Sequence, residues 1–204
     1  MVRQQQVVLA SSNQGKLREI GEILAGIGIE LLPQSRFKVP VVDETGLTYV
    51  ENAILKARMA AAVSGLPAIA DDSGIEVDVL NGAPGIYSAR YAGVSATDQQ
   101  NLDLLLHNVR KTDAQQPIAR YQCVIVYMRS EKDATPVIAE ASWEGNLVME
   151  PRGSNGFGYD PVFMVPEHGC TSAELSPEVK NSISHRGKAL QILLQKLSLG
   201  DQFS

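Results

Sequence analysis

Short apolar runs alternate with helical patterns along most of the chain. Residues 7–10 form a continuous apolar run, which predicts a buried strand. A polar segment follows, and the next apolar positions have the i, i+3, i+4 spacing of a helix: Leu17, Ile20, Ile23, Leu24 and Ile27. Gly26 and Gly28 are expected to end this helix. The sequence therefore predicts an opening strand, a polar loop and a helix.

A second set of strands leads into a longer helix. Residues 29–32 and 39–42 are predicted strands, and Glu44 follows the second of them. A helix is expected to begin after Thr48, because Thr48 and Glu51 have the spacing of a capping box. Its predicted buried face consists of Val50, Ala53, Ile54, Ala57, Ala60 and Ala61.

Two adjacent acids follow the next apolar run. Residues 68–70 predict a buried strand that ends at Asp71 and Asp72, before a turn at Ser73 and Gly74. Charged groups are seldom buried without a partner or a metal, and adjacent strand residues point to opposite faces. We therefore expect one acid to face a ligand and the other a structural partner. An Asp-rich turn without a function is the alternative.

The alternation of strands and helices continues beyond residue 74. A half-exposed strand is predicted at residues 75–79, and an antiparallel hairpin at residues 121–128 and 137–143. Capping residues predict helices after Thr97 and after Ser176. The last predicted helix has its apolar positions at Ala189, Leu190, Leu193, Leu194 and Leu197.

Length and composition limit the function classes. With 204 residues, the chain suits one large domain or two closely packed lobes. A net charge of -5 argues against binding of duplex nucleic acid through phosphate neutralisation. No apolar run approaches the roughly 18 residues of a membrane span, and the polar start does not suit a secretory signal. A cytoplasmic protein that does not bind membranes is expected.

The polar loop between the first strand and helix is a candidate phosphate site. It consists of Ser11, Ser12, Asn13, Gln14, Gly15 and Lys16. The free N–H groups and the dipole at a helix N-terminus favour an anion, and Lys16 adds a positive charge there. A plain connecting loop with an exposed lysine is the alternative. The loop is not a Walker A motif, because Ala10 and Leu17 stand where that motif requires Gly and Ser or Thr.

A glycine-rich loop and a group of donors mark a second candidate site. Residues 153–161 are rich in glycine, which lets the backbone approach a ligand, and Phe157 offers a ring that can stack on a nucleobase. A tight loop before a strand is the alternative. Farther on, three donors lie within seven residues: Lys180 near the end of a short predicted helix, and His185 and Arg186 at the start of the last helix. Positive side chains are unfavourable there, which points to an anionic or acceptor-rich partner.

Several short segments match one family together. They are SSNQGK at 11–16, ENAILKA at 51–57, ADDSG at 70–74, GFGYDP at 156–161 and SHRG at 184–187. In their order and spacing, these segments resemble the inosine triphosphate and xanthosine triphosphate pyrophosphatases, the Ham1-like family. The resemblance covers nearly the whole chain.

The resemblance implies a fold and an activity. The implied fold is α/β, elongated and two-lobed, around a central mixed sheet flanked by helices, with the active cleft between the lobes. It would form a single domain over residues 1–204. The implied enzyme is a homodimer that uses Mg²⁺ and hydrolyses ITP, dITP and XTP, which are noncanonical purine nucleoside triphosphates, to the monophosphate and pyrophosphate.

The resemblance also implies roles for individual residues. Glu44 and Asp72 would hold Mg²⁺, and Asp72 would act with the metal as the catalytic base that activates water. The triphosphate would contact residues 11–16 and Lys56, for which a surface charge is the alternative, and Ser73 would touch the substrate. The purine would contact Phe157, Gly158, Tyr159, Asp160, Lys180, His185 and Arg186.

Two rival functions stay open at this point. The first is a Maf-like pyrophosphatase that acts on pyrimidine or modified nucleotides. The second is a nucleotide- or RNA-binding module without catalysis, against which the acids Glu44, Asp71 and Asp72 and the net negative charge argue. A panel of triphosphates and a pyrophosphate-release assay separate these alternatives.

Overall fold

The computed structural model describes residues 5–24, 28–112 and 114–199. The strands are β1 (Gln5–Leu9), β2 (Ile29–Pro33), β3 (Ala68–Val77), β4 (Ile118–Met128), β5 (Val137–Leu147), β6 (Phe163–Val165) and β7 (Cys170–Thr171). The α-helices are α1 (Gln14–Ile23), α2 (Tyr49–Ser64), α3 (Asp98–Arg110), α4 (Pro177–Ile183) and α5 (His185–Leu199). Short 3-10 helices cover Gln34–Phe37, Asp78–Leu80, Gly85–Arg90, Asp160–Val162 and Ser172–Glu174.

The described strands form one sheet in the order β2-β1-β3-β4-β5-β6-β7. β1 pairs in parallel with both β2 and β3. β6 pairs antiparallel with both β5 and β7. The sheet is therefore mixed, and the predicted α/β fold around a mixed sheet is confirmed.

The described residues divide into two compact units. Unit 1 takes the described parts of Met1–Asp72, Cys123–Ala141 and Arg186–Ser204. Unit 2 takes the described parts of Ser73–Gln122 and Ser142–His185. Each unit has its own apolar core.

Helices cover both faces of β1 in unit 1. Val7 and Leu9 join a cluster with α1 and α5, whereas Val8 joins a cluster with α2. A strand covered on both faces needs apolar residues at successive positions, which explains the continuous run predicted as a buried strand. In unit 2, the core combines residues of β3, α3 and β5, including Val77, Leu105 and Trp143.

Helix α2 matches its predicted start and buried face. The Thr48 side chain accepts a hydrogen bond from Glu51 N, and the Glu51 carboxylate accepts one from Thr48 N. This reciprocal capping box satisfies two N–H groups that a helix start leaves unpaired. The buried alanines of α2 are Ala53, Ala57, Ala60 and Ala61.

The predicted strand at residues 39–42 is wrong. These residues and Glu44 lie in an irregular segment between a 3-10 helix and α2. Pro40 has no N–H for a strand ladder, and Val41 is 91% exposed, so little burial holds the segment in a sheet. Glu44 therefore extends from a loop and not from a strand end.

The predicted end of the strand at Asp71 and Asp72 is also wrong. β3 continues through both acids and through Ser73 and Gly74 to Val77. Glycine accepts extended backbone as readily as a turn, and the buried side chains of Ile75 and Val77 keep this segment in the sheet. Both acids therefore lie inside a strand, where neighbouring strands fix their positions.

Some predictions fall on parts of the chain that are not described. The predicted helix end at Gly26 and Ile27, and the polar start at residues 1–4, lie outside the described residues. Among the described helices, none combines the length and the hydropathy that crossing a membrane requires.

Candidate active site

The polar loop after β1 leads directly into the first turn of α1. Asn13 is the N-cap, and its side chain accepts a hydrogen bond from Lys16 N at 3.1 Å. Ser11 Oγ accepts from Asn13 N at 3.2 Å, and Ser12 and Gln14 are exposed. Gly15 is buried, and the first turn of α1 carries no acidic residue. The loop therefore presents small polar groups and a helix N-terminus, which together suit an anion.

Lys16 and Arg186 meet at Asp71. Lys16 Nζ lies 3.1 Å from Asp71 Oδ1, and Arg186 Nη2 lies 3.2 Å from Asp71 Oδ2. Arg186 also pairs through Nη1 with Glu19 of α1. The Asp71 side chain is 0% exposed, so these positive charges offset the loss of its hydration.

The pKa of Asp71 reflects these partners. Burial alone would raise the pKa, but the charges of Lys16 and Arg186 outweigh burial and hold it well below its usual range. Asp71 is therefore an ionised structural partner for both cations. Burial would likewise lower the pKa of Arg186, but Asp71 and Glu19 outweigh it and raise that pKa.

Asp72 belongs to a different group, as expected for adjacent strand residues. Lys56 Nζ of α2 lies 2.7 Å from Asp72 Oδ1 and 3.2 Å from Glu44 Oε1. Burial alone would lower the pKa of Lys56, but Asp72, Asp71 and Glu44 outweigh burial and raise it. Lys56 is therefore a largely buried cation that pairs with two carboxylates, and not an exposed surface charge.

The pKa of Asp72 is shifted in the opposite direction from that of Asp71. Burial raises the pKa of Asp72 and outweighs the attraction of Lys56 and Lys16. Asp72 Oδ2 is buried and has no hydrogen-bond partner among the described residues. A carboxylate with a raised pKa and an unoccupied buried oxygen can accept a proton from a ligand or a water molecule.

The residues around Lys56 fit a Mg²⁺ ion. Glu44 and Asp72 converge on one positive charge, and Asp72 Oδ2 offers a further oxygen. In the described ranges, no group of three or more His, Cys, Asp or Glu side chains forms a metal cage. Mg²⁺ in nucleotide enzymes is typically held by one or two carboxylates together with substrate oxygens and waters, so this donor set suffices.

In unit 2, Asp160 organises the glycine-rich loop of residues 153–161. Lys180 Nζ lies 2.5 Å from Asp160 Oδ2, and Phe157 N donates to the same oxygen at 2.9 Å. Ser172 Oγ donates to Asp160 Oδ1 at 2.7 Å. Gly156 has φ +74°, and a Cβ there would overlap the Asp160 carboxylate. The loop therefore closes on a buried carboxylate that holds Lys180 in place.

The remaining loop residues point in different directions. The Phe157 ring lies under Lys180, with 5.2 Å from Nζ to the ring centroid, and Phe157 is half-buried. Gly158 N donates to Asp98 at 3.0 Å. Tyr159 packs in the core of unit 2, where its hydroxyl donates to Ser88 O at 2.7 Å. Phe157 of the loop and Lys180 of α4 therefore place an aromatic ring and a hydrogen-bond donor next to each other.

His185 is held by aromatic stacking. Its ring stacks on Tyr121 with centroids 4.5 Å apart and planes 6° apart. The His185 residue is 4% exposed. His185 and Lys180 belong to unit 2, as does the half-buried Ser73, whereas Arg186 belongs to unit 1. Arg186 pairs with Asp71 and Glu19, which belong to the same unit as Arg186.

Sequence reasoning missed several supporting residues. Glu19 is one: it pairs with Arg186, which lies far from it in sequence. Ser172 and Tyr121 gave no signal either, because they lie far in sequence from the groups they hold. The sequence alone assigns Asp71 no definite role, whereas its ion pairs with Lys16 and Arg186 make it their structural partner.

Comparison with known protein sequences matches this chain to the Ham1 family and to dITP/XTP pyrophosphatases. The model of the Ham1 family matches residues 7–196. A dITP/XTP pyrophosphatase of Thioalkalivibrio sulfidiphilus is 59% identical over 191 residues, which cover 94% of this chain and 97% of the relative. A dITP/XTP pyrophosphatase of Escherichia coli O157:H7 is 55% identical over 96% of this chain and 100% of the relative.

Solved structures agree with the sequence comparisons. A HAM1 protein from Coxiella burnetii has a TM-score of 0.88 and 49% identity, and the match covers 96% of this chain and 100% of that one. The Ham1 protein of Staphylococcus aureus has a TM-score of 0.82 and 39% identity, over 95% and 98% of the two chains. The sequence-based resemblance is confirmed, and this chain belongs to the Ham1 family.

Proposed function

We propose that the chain hydrolyses ITP, dITP and XTP to the nucleoside monophosphate and pyrophosphate, with Mg²⁺ as cofactor. It is an enzyme, a nucleoside triphosphate pyrophosphohydrolase. The observation that carries the proposal is the pair Asp72 and Glu44 around Lys56, in which Asp72 has a raised pKa and an unpartnered buried oxygen. The names of the relatives, dITP/XTP pyrophosphatases, support the same activity.

Unit 1 supplies the groups for the triphosphate. A nucleoside triphosphate carries about four negative charges near neutral pH, which must be compensated before water can attack. The N-terminus of α1, Lys16 and Lys56 provide positive potential. Because Asp71 and Asp72 already hold the two ammonium groups in place, little ordering of these long side chains is required when phosphates bind.

Glu44 and Asp72 are proposed to hold the metal. When bound there, Mg²⁺ compensates negative charge on the phosphate oxygens. Glu44 would reach the metal from a loop and Asp72 from a strand. Lys56 is then left to face the phosphates instead of both carboxylates.

Asp72 is also the proposed general base. Its Oδ2 accepts a proton from the attacking water, whose oxygen forms a bond to the α-phosphorus. The bond from the α-phosphorus to the bridging oxygen breaks, and pyrophosphate leaves with the electron pair. A raised pKa suits this role, because a base whose pKa lies nearer the working pH accepts a proton more readily.

Unit 2 supplies the groups for the purine. Lys180 and His185 are proposed to donate to the 6-keto oxygen, and Phe157 to stack on the base. Adenine presents a 6-amino donor at that position, which leaves the donors of the protein unpaired. A site that loses a buried hydrogen bond discriminates by about 10⁴–10⁵. This difference supports selection of oxo-purines over adenine.

Other predicted contacts are proposed on the resemblance. Ser11, Ser12, Asn13, Gln14 and Gly15 would contact phosphates, and Ser73, Gly158, Tyr159, Asp160 and Arg186 would contact the nucleoside. For Asp160 and Arg186, the ion pairs with Lys180 and Asp71 support an additional role in holding those partners. We also propose from the resemblance that the enzyme is a homodimer and is cytoplasmic.

A pyrophosphate-release assay with ITP tests the proposal. Wild-type protein should release pyrophosphate with Mg²⁺ and lose activity when the metal is chelated. Asp72→Asn should lower kcat by about 10²–10⁴, the usual contribution of a general base. Glu44→Gln should raise the Mg²⁺ concentration needed for half-maximal rate, while Glu131→Gln, an exposed residue, serves as the matched control. Wild-type rates in Asp72→Asn would remove Asp72 from the chemistry.

A further inference from the structure

One face of α2 contacts the loop that carries Glu44 at two points. Asn52 and Lys56 are four residues apart and so lie on the same side of the helix. Lys56 Nζ pairs with Glu44 Oε1 at 3.2 Å. Asn52 Oδ1 accepts a hydrogen bond from Gly46 N at 2.9 Å, two residues beyond Glu44. Lys56 and Asn52 therefore attach the loop to this face of α2 through one ionic and one neutral contact.

The neutral contact is close. A Cβ on Gly46 would lie 2.6 Å from Glu51 Cβ and 2.7 Å from Asn52 Oδ1. Glycine at this position lets the loop backbone reach the Asn52 side chain, and a larger residue would push the loop away. Leu47 N and Thr48 N then donate to the Glu51 carboxylate at 2.8 Å and 2.9 Å, so hydrogen bonds also fix the end of the loop where it joins α2.

Asn52 is not explained by its contribution to the core. The residue is 0% exposed, yet its Nδ2 group has no hydrogen-bond partner among the described residues. An unsatisfied buried donor is unfavourable for folding. The contribution of Asn52 therefore comes from its amide oxygen, which accepts the hydrogen bond from Gly46 N.

The two contacts respond differently to a bound cation. A divalent ion between Glu44 and Asp72 competes with Lys56, because both need the same carboxylates and carry like charge. The bond from Gly46 to Asn52 involves no charge and no carboxylate, so it persists. We propose that Asn52 is a positioning residue that, through Gly46, keeps Glu44 in place for the divalent ion. This inference rests on the proposed function, in which Glu44 and Asp72 hold the metal.

A Mn²⁺ titration of the full chain tests the inference, with unbound Mn²⁺ measured by electron paramagnetic resonance. Asn52→Ala and Gly46→Ala should each weaken Mn²⁺ binding by about tenfold, the lower end of the effect of losing an outer-shell partner. The double variant should bind about as weakly as either single variant, because both substitutions remove the same contact. The Mg²⁺ activation constant should rise in parallel.

Thr48→Ala is the matched control. It removes the Thr48 half of the capping box at the same helix end and lowers the melting temperature, but it leaves the contact between Gly46 and Asn52 intact. Its Mn²⁺ affinity should stay within about twofold of wild type. An equal loss of affinity in Thr48→Ala would show general loosening and overturn the inference.

The remaining outcomes separate the inference from the proposed function. Wild-type Mn²⁺ affinity in both Asn52→Ala and Gly46→Ala overturns the inference, provided that Glu44→Gln weakens binding. Equal Mn²⁺ affinity of wild type and Glu44→Gln instead removes Glu44 from the metal site and overturns the metal assignment on which the inference depends.

Discussion

Asp71 and Asp72 are neighbours in one strand, yet we expect their substitutions to differ greatly in their effect on stability. Asp71→Asn removes the negative charge that lies between Lys16 and Arg186, at 3.1 Å and 3.2 Å. The Arg186 side chain is 3% exposed, so water cannot replace the lost partner. Glu19 remains as its second carboxylate, but the guanidinium edge that faces Asp71 loses its counter-charge.

The expected loss of stability is large. Removing one partner of a buried ion pair costs about 3–5 kcal/mol, because the remaining charge is left without compensation. For a chain of 150–250 residues, a change of 1 kcal/mol shifts the melting temperature by about 2–4 °C. Asp71→Asn should therefore melt about 6–20 °C below wild type.

Asp72→Asn is the matched control, one residue away in the same strand. The pKa of Asp72 is raised, so burial disfavours its charge more than Lys56 favours it. Asparagine keeps an oxygen that can accept from Lys56, and the unfavourable buried charge is removed. The free energy of unfolding should change by less than about 1 kcal/mol, while turnover of ITP is nearly lost.

Urea denaturation at pH 7, followed by circular dichroism, measures both variants beside wild type. The reasoning holds if Asp71→Asn loses stability and Asp72→Asn loses activity. It is refuted if Asp71→Asn unfolds within about 1 kcal/mol of wild type, since a buried ion pair then contributes far less than its desolvation requires. It is also refuted if Asp72→Asn is the less stable of the two.

Three further predictions concern other parts of the molecule. Lys16→Ala should raise KM for ITP by about tenfold or more, because a charge-assisted phosphate contact is lost; unchanged kcat and KM would return Lys16 to a structural role. Phe157→Ala should weaken the binding of inosine monophosphate by about tenfold but leave inhibition by pyrophosphate unchanged, since only the base stacks on the ring. Equal losses of affinity for both ligands would argue against stacking. Asp133→Asn should lower the free energy of unfolding at pH 7 by about 2 kcal/mol. The reason is that hydrogen bonds from Arg129 hold the pKa of Asp133 below its usual range. That contribution is present above the ordinary pKa of about 3.9 and is lost as the pH falls below it, so the difference between wild type and variant should shrink at pH 3.

Local patterns were sufficient for elements whose signal lies within a few residues. The capping box of Thr48 and Glu51 and the apolar run of β1 involve neighbours in sequence, and both were predicted correctly. The strand at residues 39–42 was not, because exposure of Val41 depends on what packs around it. The end of β3 was misplaced because Gly74 suits both a turn and a strand, and burial of Ile75 and Val77 decides between them.

The sequence supplies candidate residues for the site but not the pairing among them. The motifs identified Lys16, Asp71, Asp72 and Arg186, yet nothing in the sequence shows that Arg186 and Asp71, far apart along the chain, form an ion pair. The same holds for Tyr121, which stacks on His185. Such contacts depend on how strands and helices are brought together, which a linear pattern does not contain.

Identification of the products from a panel of triphosphates tests the central claim most directly. Wild-type protein with Mg²⁺ would be incubated with ITP, dITP, XTP, GTP and ATP, and the products separated by chromatography and assigned by phosphorus NMR. We expect the monophosphate and pyrophosphate from ITP, dITP and XTP, with kcat/KM for ATP lower by about 10⁴. Release of orthophosphate and a nucleoside diphosphate, or equal turnover of ATP and ITP, would contradict the account.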